Sequence, residues 1–233
     1  MKSITSRLFG RARRRTGAPQ RPGIGAGPWG LGLLCAVGLT ACGTPREKPA
    51  CCVGPAPAAE RVPLSDASLY QVESEWTTDT GQRIKLTALQ GRPQVVVMFF
   101  ASCQYACPIL VHDLTRIEAA LPAELRGKTG FTLVTFDTQR DTPEALAKFR
   151  KLRQLPANWT LLHGVDADVL ELAALLGVKY KLEANGQFAH SNLITVLNSQ
   201  GEIVHQLSGL GQDIQPVVQK LRELLATEPD GAE

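Results

Sequence analysis

Gln94-Val-Val-Val-Met-Phe-Phe-Ala-Ser-Cys-Gln-Tyr-Ala-Cys-Pro108 decides how this chain is read. Its first residues, from Gln94 to Phe100, form a short apolar run without polar alternation, the pattern of a strand covered on both faces. Two cysteines follow, then a proline, which is favoured in the first turn of a helix. Leu110, Leu114, Ile117 and Leu121 then recur at helical spacing. A buried strand running into a helix that carries Cys103 and Cys107 near its start puts two thiols at the edge of a core. On helical geometry, residues four apart lie one turn above each other, about 6 Å between Cα atoms, which a disulfide spans. The spacing suits a reversible disulfide or a two-thiolate grip on one metal ion, and the helix N-terminus is expected to favour thiolate over thiol. A structural disulfide is the competing reading, but a bridge closing a loop of about five residues restricts the unfolded chain little.

Working outward from that segment, strand and helix signals alternate. Phe131-Thr-Leu-Val-Thr-Phe136 predicts a second strand. Asp141-Thr-Pro-Glu144 predicts a helix start, with a cap, a proline in the first turn and a glutamate reaching back, and Leu146, Phe149 and Leu152 follow. Residues 160–163 read as a short strand and 168–176 as a helix ended by Gly177. Residues 192–197 and 202–207 flank Asn198-Ser-Gln-Gly201, a hairpin signal, and a last helix carries Ile214, Val217, Val218, Leu221, Leu224 and Leu225. The order predicts an α/β domain, with a central mixed sheet flanked by helices as in the thioredoxin-like fold, over residues 63–228, with 229–233 as a tail.

The rest of the chain reads differently. With 44% hydrophobic residues among 233, disorder throughout is excluded. The net charge of +3 suggests a basic protein, yet seven of the 25 Lys and Arg precede Cys42 with no acid among them, leaving 18 cations against 22 acids. The basic balance therefore belongs to an export signal rather than to a nucleic-acid surface. Residues 1–41 read as a basic region followed by the apolar stretch from Trp29 to Ala41, at about 13 residues too short to span a bilayer, which excludes a multi-span membrane protein. Leu39-Thr-Ala-Cys42 resembles a bacterial lipobox, which implies cleavage before Cys42 and a lipid on its sulfur. Residues 42–62, rich in Pro and Ala, are expected to form the tether of an exported protein anchored to a bacterial membrane, its domain facing the periplasm or cell exterior. Cys51 and Cys52 lie in that tether, either as two exposed thiols or an intermolecular link, or as a mobile pair that picks up copper or exchanges with Cys103 and Cys107.

Two soft thiolates suit Cu(I) or Zn(II), and a third ligand would sharpen the choice. The chain has four histidines: His112, His163, His190 and His205. His112 falls about 140° round the helix from Cys107 and faces away. His163 reads as a core histidine and His205 as an outward, solvated one. His190, in Gln187-Phe-Ala-His-Ser-Asn192, precedes the strand that a thioredoxin-like fold sets beside its cysteine helix. Spacing alone leaves its role open between ligand and structural histidine. A zinc site would lack an obvious fourth ligand, whereas two Cys and one His fit trigonal Cu(I).

From about Gly81 to Leu225 the sequence resembles the Sco/SenC family, thioredoxin-like copper proteins that assist assembly of the CuA centre of cytochrome c oxidase. The resemblance rests on Cys103-x-x-x-Cys107-Pro108, on Phe136-Asp137 followed by Asp141-Thr-Pro-Glu144, and on Ala189-His-Ser191 before Leu193-Ile-Thr-Val-Leu197. It implies copper, as Cu(I) or Cu(II), bound by Cys103, Cys107 and His190. The implied partner is the CuA subunit of the oxidase or another copper-requiring exported protein. The alternative activity is thiol-disulfide exchange by the Cys103, Cys107 redox pair, reducing cysteines of such a client. Asp137 matches a family acidic residue that would tune the cysteines or aid partner docking, or else is a strand-end carboxylate in water. Asp141 matches too, with capping as its sufficient explanation. Gln104 and Thr138 depart from the family, where many relatives have proline. A thioredoxin-type reductase would usually show CxxC, and a peroxiredoxin Pro-x-x-x-Thr-x-x-Cys; neither pattern is present.

Overall fold

The computed structural model describes residues 63–227, so the expected signal, the tether with Cys42, Cys51 and Cys52, and the tail lie outside the described residues. In chain order the elements are β1 (Glu75–Thr78), β2 (Arg83–Lys85), β3 (Gln94–Phe99), α1 (Ala106–Ala120), α2 (Ala123–Arg126), β4 (Gly130–Thr135), α3 (Pro143–Arg153), β5 (Trp159–His163), α4 (Asp166–Leu176), β6 (Tyr180–Leu182), β7 (Phe188–His190), β8 (Leu193–Leu197), β9 (Ile203–Ser208) and α5 (Gln215–Thr227). Seven strands form one mixed sheet in the order β2-β1-β5-β4-β3-β8-β9, in which β3, β4 and β5 run parallel and the others join antiparallel. Every residue of β3 and β4 is buried, as unbroken apolar runs require.

Helices cover both faces. Phe99 meets Phe149 of α3 at 5.1 Å between ring centroids. On the same face Glu118 of α1 accepts from the indole N–H of Trp159 (3.0 Å), whose ring stacks on Phe131. Arg222 of α5 donates to the Ala120 carbonyl at the end of α1 (3.1 Å). On the opposite face Gln206 donates to the Leu176 carbonyl of α4 (2.9 Å) and to the Thr195 hydroxyl (3.1 Å). Arg150 ties α3 to β1 and β5, pairing with Asp79 and donating to the Trp159 carbonyl (2.6 Å). In the β8–β9 turn, Gly201 has φ +83°, and a Cβ there would sit 2.6 Å from the Tyr70 ring, so only glycine closes this hairpin.

The α/β architecture is the expected one, with three local corrections. Helix α1 begins at Ala106, so Cys103 sits in the preceding turn and the cysteines are not stacked on one helix. Helix α3 is capped by Thr142, whose hydroxyl accepts from the Ala145 N–H (3.3 Å), and not by Asp141, which is buried. His205 is only half-buried, but its Nε2 is shielded and has no hydrogen-bond partner, so this nitrogen is not solvated as expected. Two hairpins, β1–β2 and β6–β7, are additional to the expected elements; their turns carry Gly81 (φ +83°) and Asn185-Gly186 (φ +75° at the glycine), and the second hairpin forms a small sheet of its own.

Candidate metal centre

After β3 the chain turns, with the Cys103 N–H donating to the Phe100 carbonyl (3.2 Å), and this sets Cys103 in front of the first turn of α1. The N–H of Cys107, one of the helix's first-turn amides without an intrahelical acceptor, donates to Cys103 Sγ (3.3 Å). His190 arrives from the other side, at the end of β7, with Nε2 3.9 Å from Cys107 Sγ. One donor atom from each of Cys103, Cys107 and His190 lies within 4.8 Å of the other two, and among the described residues His, Cys, Asp and Glu donors converge in threes only here.

The imidazole is oriented for coordination. Its Nδ1 lies 3.0 Å from the Ser191 carbonyl oxygen. A carbonyl only accepts, so the neutral ring carries its proton on Nδ1 and turns the Nε2 lone pair towards the sulfurs. Bonds of about 2.3 Å to thiolate and about 2.05 Å to imidazole, spread over three ligands in a plane, put sulfur and nitrogen about 3.8 Å apart. The observed 3.9 Å between Cys107 Sγ and His190 Nε2 matches, and with the other two separations within 4.8 Å the donor set can close on one three-coordinate thiophilic ion.

Burial dominates the electrostatics. Cys107 is fully buried, and desolvation pushes its thiol far above the ordinary cysteine range, the Phe100 backbone hydrogen bond opposing and Cys103 and Asp141 adding to the rise. The thiolate expected from the helix N-terminus is therefore not what this environment favours at Cys107, because loss of water outweighs the helix field. Asp141 is itself raised by burial, although the Thr135 hydroxyl (2.6 Å) and the Ala101 N–H (2.7 Å), both donating to its Oδ2, favour its charge. Asp141 was missed as a neighbour of the thiols because Asp-Thr-Pro also reads as a cap.

Asp137 is buried and ion-paired with Arg140, and so is not a carboxylate in water. His112 is exposed on α1. His163 turns Nδ1 to the Asp141 carbonyl (3.0 Å), outside the metal-binding trio. An open pocket of about 460 Å³ reaches the site and is lined by Cys103, Gln104, Tyr105, Gln187, Phe188 and His190 among others, but not by Cys107. The larger cleft, about 690 Å³ beside Glu75, His163 and Asp168, contains neither cysteine.

This asymmetry predicts an order of reaction. Iodoacetamide at pH 8 is expected to modify Cys103 well before Cys107, read by fragmentation mass spectrometry. Equal rates would show that Cys107 is neither shielded nor held as a thiol.

A family model described as SCO1/SenC matches residues 64–226. A protein of Stutzerimonas stutzeri provisionally named as copper-binding is 26% identical over 133 residues, 55% of this chain and 64% of that protein, so the chain spans less than two thirds of this relative's length. Among solved structures, a SCO1/SenC family lipoprotein from Bacillus anthracis is 21% identical, with TM-score 0.59 over 65% of this chain and 92% of that one. Arabidopsis thaliana ScoI with copper bound is 15% identical, with TM-score 0.58 over 66% of this chain and 97% of that one. The two likenesses establish the thioredoxin-like fold.

Proposed function

This chain belongs to the SCO1/SenC family, and on that premise we propose that it is a metallochaperone that binds copper through Cys103, Cys107 and His190 and delivers it to the CuA subunit of cytochrome c oxidase. The observation that carries this reading is the convergence of two sulfurs with an imidazole whose Nε2 lone pair is aimed at them by the Nδ1–H bond to Ser191. Two soft sulfurs and one nitrogen suit Cu(I), while zinc would want a fourth protein ligand. Copper is cargo here. It enters as the thiols lose protons and leaves by ligand exchange from the side where Cys103 and His190 line the open pocket. Cys107, buried beneath them, is the last ligand to let go. Lipidation of Cys42, as its lipobox suggests, would hold the exported domain beside a membrane-bound client and raise the effective concentration of each for the other.

A second reading has its own support. Cys103 faces the pocket and Cys107 lies behind it, the arrangement of an attacking and a resolving thiol. Cys103 thiolate would attack a client disulfide, releasing one client thiolate. Cys107 would then attack the mixed disulfide, releasing the second and leaving Cys103–Cys107 oxidised by two electrons. This exchange makes no use of the His190 lone pair, which is why copper delivery comes first.

Anaerobic titration of the reduced full-length chain tests the choice. One tight copper per chain is expected, with affinity rising by about one to two decades per pH unit near neutrality as up to two thiol protons are displaced. The sign follows from Cys107: a thiol raised by burial is protonated at pH 7, so raising the pH removes the competing proton. A flat pH profile would overturn thiolate ligation. No tight copper site, together with a readily reduced Cys103–Cys107 disulfide, would select exchange.

A further inference from the structure

His190 reaches the sulfurs from a hairpin that the main sheet does not hold, since β6 and β7 pair only with each other. The Ser191 N–H closes the base of the hairpin by donating to the Lys179 carbonyl (2.8 Å). A cluster of rings presses it onto the domain. Phe188 of β7 lies 5.3 Å from Phe100 and 5.1 Å from Phe136, and Phe136 lies 5.1 Å from the His190 ring. Ring contacts constrain distance well but sliding poorly, because stacked and edge geometries interconvert at little cost.

One side chain adds direction. Arg140, in the loop after β4, pairs through Nε with Asp137, donates from Nη1 to the Gly186 carbonyl in the hairpin turn (2.7 Å), and lies over the Phe188 ring (5.6 Å). Asp137 is only 3% exposed and also accepts from the Arg140 backbone N–H (3.3 Å), so the anchor of the guanidinium is fixed. The Arg140 side chain is 43% exposed and fills no core. We propose that Arg140, held by Asp137, is a positioning residue that clamps the β6–β7 hairpin and thereby sets the distance from His190 Nε2 to the cysteine sulfurs. The inference rests on reading His190 as a copper ligand, and it assigns Asp137 a role through Arg140 rather than on the thiols. Lysine is a poor substitute, because a single ammonium cannot pair with Asp137, reach Gly186 and sit over the Phe188 ring at once.

The test uses the full-length chain with Arg140→Ala, Arg140→Lys and, as a surface control on α1, Arg116→Ala. In the metal-free protein, hydrogen exchange at the β6 and β7 amides is expected to quicken about tenfold in Arg140→Ala, less in Arg140→Lys and not at all in Arg116→Ala, for the loss of one charge-assisted hydrogen bond and one cation–π contact. Exchange quickened throughout the domain in Arg140→Ala, rather than at the hairpin, would overturn a clamp specific to the hairpin. With copper, Arg140→Ala is expected to lower affinity by about three- to tenfold, less than loss of the His190 ligand itself, because the clamp acts only through the placement of that ring. It should also weaken nitrogen coupling in the Cu(II) EPR spectrum while thiolate charge transfer persists. Unchanged exchange and unchanged copper parameters in Arg140→Ala would overturn the clamp and leave the copper reading standing. Faster exchange confined to the hairpin in Arg140→Ala, together with a wild-type chain that takes up no copper, would support the clamp on the hairpin and overturn the copper reading.

Discussion

Cys107→Ser is expected to lower Cu(I) affinity by at least about a thousandfold, or about 4 kcal/mol, with Cys103→Ser close behind. Serine nearly preserves the volume of the buried side chain, so the fold should survive and the loss reports on ligand chemistry. A hydroxyl is a hard donor that stays protonated at neutral pH, whereas Cu(I) prefers soft thiolate. The deeper cysteine should matter more, since replacing it also leaves a polar hydroxyl in a site shielded from water. His190→Ala is expected to cost less for Cu(I), about 10–100-fold, because two thiolates can still hold the ion. It should perturb Cu(II) most, where nitrogen ligation is favoured. Anaerobic competition against a chelator of known affinity, in a Cys51→Ser/Cys52→Ser background, would measure all three. Should Cys107→Ser bind within tenfold of the parent, the assignment of the two sulfurs as ligands is wrong.

The parts of this molecule legible in the sequence are those whose residues bury the most apolar surface. Strands β3 and β4 read directly because every side chain in them is inside. Helix α4 could be bounded because Gly177 adopts the left-handed conformation (φ 73°) that ends it. Strands β2, β6 and β7 are three residues long and bear exposed or half-exposed side chains, and β1, which alternates between buried Trp76 and Thr78 and outward Glu75 and Thr77, is only four residues long, so none offers a run long enough to read. The centre follows the same logic. Cys103 and Cys107 announce themselves by type and spacing, while His190 differs from the other three histidines by preceding the strand set beside the cysteine helix, and only the family motif makes it a ligand. Arg140 sits between Thr138 and Asp141 in a polar loop, where a charge normally means a solvated surface. Only the hairpin folded against it shows what it holds. The helix-turn geometry expected for the cysteines failed because α1 starts three residues after Cys103, which is placed by a turn from β3 instead.

Asp141→Ala is expected to destabilise the domain by about 2–5 kcal/mol, lowering the melting temperature by roughly 5–15 °C for a domain of this size. The Ala101 N–H and the Thr135 hydroxyl both donate to a single oxygen, Oδ2, and alanine would leave both without that acceptor while opening a void beside the thiols. Asp141→Asn separates the hydrogen bonds from the charge. An amide oxygen in the place of Oδ2 keeps both donors satisfied, so this variant should stay near the parent in stability. Its pH dependence should differ with a definite sign. Burial raises the folded-state pKa of Asp141, so the parent's contribution from this group is fully present below the unfolded pKa of about 3.9 and is lost as pH rises through the raised value. Above that window the Asn variant, with no proton to lose, gains on the parent. It also removes a negative charge that holds the Cys107 thiol up, so Cys107 should alkylate faster in Asp141→Asn at equal fold stability. Urea denaturation of the three proteins at pH 4, 6 and 8, with alkylation at pH 8, would resolve these effects. If Asn and Ala were equally destabilising, the carboxylate charge and not its hydrogen bonds would be what holds β3, β4 and the cysteine turn together.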